Sequence, residues 1–242
     1  MILDMHAHVG RPNYSYRSPE FSNDDIASRM KESGVSKCCV FSFYDVTDNE
    51  YIGKACDGRD DLIPFAFVNP KDSDARDRLE HLFSKRGFRG LKLHPFAHGF
   101  HLNNFKIVDP LFELCEQFQA PIICHGLADN AYNTVYAFAE MADRFPKVNL
   151  AMSHGGFMWS WREAVRASKT RPNLYIETTC LLSQSIADGV DDIGAEKYVF
   201  GSDSPWANFD VEILKIKKAL RKDSDLELVL GGNLARLLRL KA

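Results

Sequence analysis

MILDMHAHVG, residues 1–10, places His6 and His8 one residue apart at the end of a short apolar run, with Asp4 two residues before His6. Side chains alternate along a strand, so His6 and His8 share a face with their Cα atoms about 7 Å apart. The segment therefore reads as a strand that ends in two imidazoles aimed the same way.

The same design recurs along the chain. Apolar runs fall at 1–6 (MILDMH), 37–43 (KCCVFSF), 62–68 (LIPFAFV), 89–94 (RGLKLH), 120–125 (APIICH), 148–154 (VNLAMSH), 173–178 (NLYIET) and 197–203 (KYVFGSD). Between them, helical periodicity occupies 24–33, 48–57, 72–86, 107–119, 131–144, 157–168, 183–192 and 208–220, and a closing helix is expected near 232–240. Strand-then-helix repetition implies parallel strands joined by crossover helices. Eight such units predict an α/β fold, a (β/α)8 TIM barrel with a closing C-terminal helix. A doubly wound open sheet is the alternative, but no glycine-rich phosphate loop of either common type follows a strand. No linker or low-complexity tract divides the chain, so residues 1–242 read as one barrel domain.

Composition narrows the class. Of the 242 residues 45% are apolar, and the net charge is −3, which argues against a nucleic-acid surface. No apolar run reaches the ~20 residues of a membrane span. Asp4 interrupts the N-terminus before a signal-peptide core could form, so none is expected. The six cysteines (Cys38, Cys39, Cys56, Cys115, Cys124 and Cys180) include no C-x-x-C pair. They read as reduced thiols of a cytoplasmic protein. A homo-oligomer is compatible with all of this.

A barrel enzyme carries its chemistry at the C-terminal ends of the strands. Strand one ends in His6 and His8, strand four in Lys92 and His94, strand five in His125, strand six in His154, strand seven in Glu177 and strand eight in Asp203. A single histidine at a strand end is usually a satisfied hydrogen-bonding residue. Five histidines and two carboxylates at the ends of one barrel's strands are a different matter. His6, His8, His125 and Asp203 offer three nitrogens and one oxygen, a set suited to a divalent metal: zinc first, manganese or iron as alternatives. Such an ion brings the pKa of a bound water to about 7.

LDMHAH, GLKLHP, PIICHG, AMSHGG, VFGSDSPW and the terminal GGNLARLL occur in an order that resembles the amidohydrolase superfamily, most closely its amidohydrolase-related branch (amidohydrolase 2). That branch includes aminocarboxymuconate-semialdehyde decarboxylase, other non-oxidative decarboxylases and lactone hydrolases. The resemblance spans nearly the whole chain. It implies one metal held by His6, His8, His125 and Asp203, with His154 contacting water or substrate or holding a second metal. In some relatives a strand-four lysine is carbamylated and bridges two metals, and Lys92 is the residue to weigh for that role. The chain is short for the branch, and residue 204 is Ser where many relatives have an aromatic.

Asp203 and His154 are the expected catalytic residues. Asp203 is the candidate general base; the alternative is a ligand with no part in proton transfer. His154 either orients water or protonates a leaving group, against packing on the Gly155-Gly156 turn. His94, Lys92, Glu177 and Trp206 are expected at the substrate. Each has a plainer reading: a loop-fixing hydrogen bond for His94, a charge partner of Asp4 for Lys92, pairing with Lys92 for Glu177, packing for Trp206. Asp4 itself reads as an interior hydrogen-bonding residue. The loops at 11–23 and 95–106 are expected to overhang the site, with Gly99 a hinge. His98 and His101 read as loop surface residues, and Trp159, Trp161 and Arg162 are ambiguous.

The leading expectation is a metal-dependent hydrolase of a small lactone, amide or ester, using metal-bound water with Asp203 as base. A decarboxylase on the same site is the alternative, and a non-catalytic metal-binding barrel is the third reading. A related deoxyribonuclease type is disfavoured, since RGLKLH lacks a strand-four Glu and the chain has no basic stripe.

Overall fold

The computed structural model describes residues 1–12 and 21–240. Eight strands, β1 (Ile2–His8), β2 (Val35–Phe41), β3 (Leu62–Phe67), β4 (Gly90–Leu93), β5 (Ile122–His125), β6 (Leu150–Ser153), β7 (Leu174–Glu177) and β8 (Tyr198–Val199), pair in parallel in sequence order. The segment after β8 closes the ring onto β1. Met5 N–H donates to Phe200 O at 3.0 Å, Asp203 N–H to His6 O at 2.7 Å and His8 N–H to Ser204 O at 2.7 Å. The expected (β/α)8 barrel is the observed fold.

Helices α1 (Asn23–Ser33), α2 (Asn49–Cys56), α3 (Ala75–Lys85), α4 (Pro95–His98), α5 (Phe105–Phe118), α6 (Val135–Arg144), α7 (Phe157–Lys169), α8 (Ser183–Ile193) and α9 (Phe209–Ala219) fill the crossovers. Local chemistry fixes their ends. Ser22 and Asp25 form a reciprocal capping box on α1, and Gly34 ends that helix in the left-handed region, at φ 72°. Asp48 and Thr134 cap α2 and α6 with side-chain oxygens. Then follow α10 (Asp223–Glu227), a π-type turn at Leu228–Gly232 and α11 (Asn233–Leu238). Leu234, Leu237 and Leu238 of α11 pack with Leu3, Cys39, Ile63, Phe65 and Val199. The closing helix thus plugs the end of the barrel opposite the C-terminal ends of the strands, by burial of apolar surface.

Three local features depart from the expected elements. The eighth strand was expected over 197–203, yet only Tyr198–Val199 pair with β7, because residues 200–204 turn their hydrogen bonds to β1 and to Val229. The 95–106 stretch is not all loop. Pro95 opens α4, Gly99 caps it at φ 63°, and Phe100 and Leu102 are buried. The loop expected at 11–23 falls partly outside the described residues. Its two ends are tied by paired hydrogen bonds between Gly10 and Phe21, at 2.8 and 3.1 Å.

Candidate active site

The site begins with a slip in register. Between Asp4 and Ala7, β1 advances three residues while β2 advances only from Cys38 to Val40. An extra residue of this kind bulges a strand and re-aims its side chains. Leu3, before the slip, and Met5, within it, belong to the interior cluster. His6, also within it, and His8, after it, face inward, with rings 5.4 and 4.7 Å from that of Phe41. Asp4 is left to bind backbone. Its Oδ1 accepts from His6 N–H at 2.6 Å and Ser202 N–H at 3.2 Å, and burial raises its pKa to about 7 against those bonds.

Each imidazole is held by Nδ1. His8 Nδ1–H donates to Ser42 O at 3.0 Å. His6 Nδ1 lies 3.0 Å from Glu177 Oε2. Glu177 is fully buried, and burial opposes its charge, yet the His6 hydrogen bond and the nearby histidines bring it to about 2. Both rings therefore turn Nε2 to the centre, where they meet Asp203 Oδ1 at 3.1 Å from His6 and 3.3 Å from His8. Two Nε2 lone pairs and a carboxylate oxygen at this spacing repel unless a cation or a shared proton lies between them. A tetrahedral zinc with bonds of about 2.0–2.1 Å separates its ligand atoms by about 3.3 Å. The donors present thus fit a divalent metal in both chemistry and spacing, and Glu177 is the outer carboxylate that holds the His6 ring. His6, His154 and Glu177 form a second overlapping group of potential donors.

The amidohydrolase family model matches residues 3–240. The chain belongs to that family. Solved structures repeat the fold over almost the full length of this chain. A 2,6-dihydroxybenzoate decarboxylase from Rhizobium is 17% identical, with a TM-score of 0.78 over 100% of this chain and 99% of that one. A 5-carboxyvanillate decarboxylase from Sphingomonas paucimobilis is 14% identical, with a TM-score of 0.76 over 99% of each chain. A probable 2-pyrone-4,6-dicarboxylic acid hydrolase from Acinetobacter baumannii is 14% identical, with a TM-score of 0.77 over 99% of each chain. The comparison with curated proteins gave no match.

Not every expected residue joins the central group. The His125 ring stacks on His94 at 3.9 Å and meets His154 edge-on at 4.9 Å, outside the cluster of His6, His8 and Asp203. His94 also accepts Ala97 N–H at Nδ1, 3.3 Å away, and so caps α4 and fixes the loop. Lys92 does not pair with Asp4, because the bulge turns Asp4 toward Ser202. Its Nζ lies 3.1 Å from His6 Nε2 and 4.7 Å from the Phe41 ring centre, and burial lowers its pKa to about 8 although Asp203 and Glu177 oppose the shift. Glu177 was expected at the substrate or on Lys92. Instead both its oxygens are taken by His6, Thr179 and His154 N–H. Burial brings the His154 ring down to about 4 against the pull of Asp203.

Backbone strain marks the same residues. His154 (φ 62°) and Asp203 (φ 58°) both occupy the left-handed region that residues other than glycine rarely adopt. Around the mouth, Trp206 is 43% exposed and packs edge-on against Phe43 at 5.9 Å. Trp159 donates Nε1–H to Leu127 O at 3.2 Å, and Arg162 stacks over Trp161. His98 meets Tyr44 O and His101 meets Ala131 O. A cavity of about 410 Å³ opens instead at the opposite, N-terminal ends of β2–β4. Three of its four lining cations are already engaged: Arg59 with Asp61, Lys37 with Asp60 and Arg89 with Leu238 O. The convergent donors, not that cavity, define the candidate site.

Sequence reasoning passed over Ser42, Thr179 and Gly201. Ser42 acts through a backbone carbonyl, which no residue type announces. Thr179 follows Glu177 at the strand-mate spacing of two, and that was the available signal. Gly201 has no room for a side chain: a Cβ there would lie 2.5 Å from Glu177 Oε1 and 2.8 Å from His6 Cβ.

Proposed function

We propose that this chain is a divalent-metal-dependent hydrolase of a small organic substrate: a lactone, amide or ester. The observation that carries this reading is the position of Asp203. Its Oδ1 faces both Nε2 atoms while its side chain remains 17% exposed, open to solvent and substrate. His6, His8 and Asp203, with His125 completing the set, would hold one ion, zinc by preference. When bound, the ion supplies Lewis acidity toward a carbonyl and acidifies a water. Burial opposes the charge on Asp203, but His6 and His8 hold its pKa well below the usual carboxylate value. The shift keeps Asp203 ionised, and its place between the two Nε2 atoms with partial exposure is what sets it to take a proton as attack begins. His154 faces the same centre from β6. Lys92 and His94, both buried beside this centre, would face a bound substrate, and Trp206 would wall one side of the mouth. The free cysteines fit a cytoplasmic location.

A second reading, non-oxidative decarboxylation, has its own support. Two of the structural relatives carry decarboxylase names. Lys92 is a buried cation beside the centre, the kind of group that would receive a substrate carboxylate. The test is product analysis. Metal-reconstituted protein is incubated with lactones, esters, amides and carboxylated aromatics, and released acid and released CO2 are followed together. Acid without CO2 supports the hydrolase; CO2 transfers the assignment to the lyase. Inactivity of fully metallated protein across the panel refutes both and leaves a metal-binding barrel.

A further inference from the structure

Thr179 Oγ1 lies 2.7 Å from Glu177 Oε2 and 2.9 Å from His154 Nδ1. All three residues are buried, with Thr179 1% exposed and Glu177 0%. A hydroxyl has one proton to give, so the two contacts cannot both be donations from Thr179.

The surroundings of Glu177 decide which is which. Its Oε1 accepts Thr179 N–H at 2.6 Å, and its Oε2 accepts His154 N–H at 3.2 Å. Those two backbone donors can only donate. Oε2 also faces His6 Nδ1. A carboxylate accepting from every side satisfies all of these contacts at once, and it requires the Thr179 proton as well. The Thr179 oxygen is then left as acceptor, and the proton between it and His154 must sit on Nδ1. His154 Nε2 therefore carries a lone pair. The His6 and His125 rings, centred 5.2 and 4.9 Å from that of His154, flank it.

We infer that Thr179 is a positioning residue: its hydroxyl, set between Glu177 and His154, locks His154 as the Nδ1–H tautomer, so that His154 enters the reaction as a proton acceptor and not as a donor to the leaving group. The inference deepens the proposed function and rests on it for the existence of a reaction. Free histidine favours the opposite tautomer, with the proton on Nε2, so the lock changes what the ring would otherwise present. One carboxylate governs both the backbone and the ring of His154. It takes the N–H of a residue at φ 62° directly and the ring proton through Thr179. Glu177 does the same for His6 without an intermediary, so His6 and His154 both turn Nε2 to the same centre.

Two-bond ¹H–¹⁵N correlation spectra of histidine-labelled protein test this, recorded metal-free and after loading with Zn²⁺ alone. His154 is assigned by the signal lost in His154→Gln. In the metal-free wild type the His154 pattern should be that of Nδ1–H. Thr179→Ser should keep it, and Thr179→Val should convert it to Nε2–H or to an exchanging mixture, with zinc stoichiometry unchanged. An Nε2–H pattern in the wild type overturns the lock whether or not the Val variant folds, as does an unaltered pattern in folded Thr179→Val. The zinc stoichiometry reports separately: protein that keeps the Nδ1–H pattern but binds no zinc refutes the metal-dependent reading and leaves the lock standing.

Discussion

Lys92 Nζ lies 3.1 Å from His6 Nε2, against the one lone pair through which that ring would hold a cation. The nitrogen cannot serve both partners. An ammonium here also opposes a bound cation: two unit charges about 4 Å apart repel by about 4 kcal/mol at an effective dielectric of 20, and a divalent ion doubles that. Lys92→Met should therefore tighten zinc binding, by roughly tenfold or more once relaxation has absorbed part of that repulsion. Competition against a chromophoric chelator measures it. A loss of affinity would instead make Lys92 a ligand, as a carbamate would be.

Asp203→Asn keeps the shape of the side chain and removes its capacity to accept a proton. Turnover on whichever substrate the panel identifies should fall about 10²-fold or more, the usual range for a lost general base. Thermal stability should change little by comparison. An equal loss of both would make Asp203 a structural anchor between the segment after β8 and the two histidines of β1.

His125 stands apart from the central donors, stacked on His94. As a ligand, it should cost metal affinity when removed: His125→Ala should weaken zinc binding by roughly tenfold or more in a chelator competition, the scale on which even outer partners of a metal act. Unchanged affinity would confine the ligand set to His6, His8 and Asp203.

Much of this was readable from the chain, for a physical reason. Alternation in short parallel strands and 3.6-residue periodicity between them are local properties, so the barrel and the strand-end polar residues could be placed without coordinates. What escaped depends on relations between strands. The β1 bulge is a register effect, invisible in ILDMHAH alone, and it decides that Asp4 binds backbone while His6 enters the barrel. Glu177 and Lys92 were assigned to the site but not to their partners, because period two fixes a face and not a neighbour. Residues 200–204 look like a strand and behave as one toward β1, yet they leave β7 after Val199.

Gly201 shows the same limit most sharply. It lies between Phe200 and Ser202, where the segment after β8 has left β7 and closes onto β1, and its φ is not in the left-handed region. The backbone itself therefore raises no objection to alanine. The objection is space. A Cβ would come within 2.5 Å of Glu177 Oε1 and 2.8 Å of His6 Cβ, distances that packed atoms do not reach. Neither neighbour can retreat cheaply: Glu177 is pinned by Thr179, His154 and His6, and His6 by Glu177 and the strand-eight backbone. Gly201→Ala should cost about 1–3 kcal/mol, the usual scale for overpacking a filled core. It should also weaken zinc binding, because the carboxylate it displaces sets the His6 ring. Gly34→Ala is the contrast. Its Cβ meets nothing within 4 Å, and its φ of 72° leaves only a backbone penalty, so stability should fall while zinc affinity stays put. Urea melts and zinc titrations of the two variants separate the cases. Undiminished zinc affinity in Gly201→Ala would mean that Glu177 does not hold His6 in place.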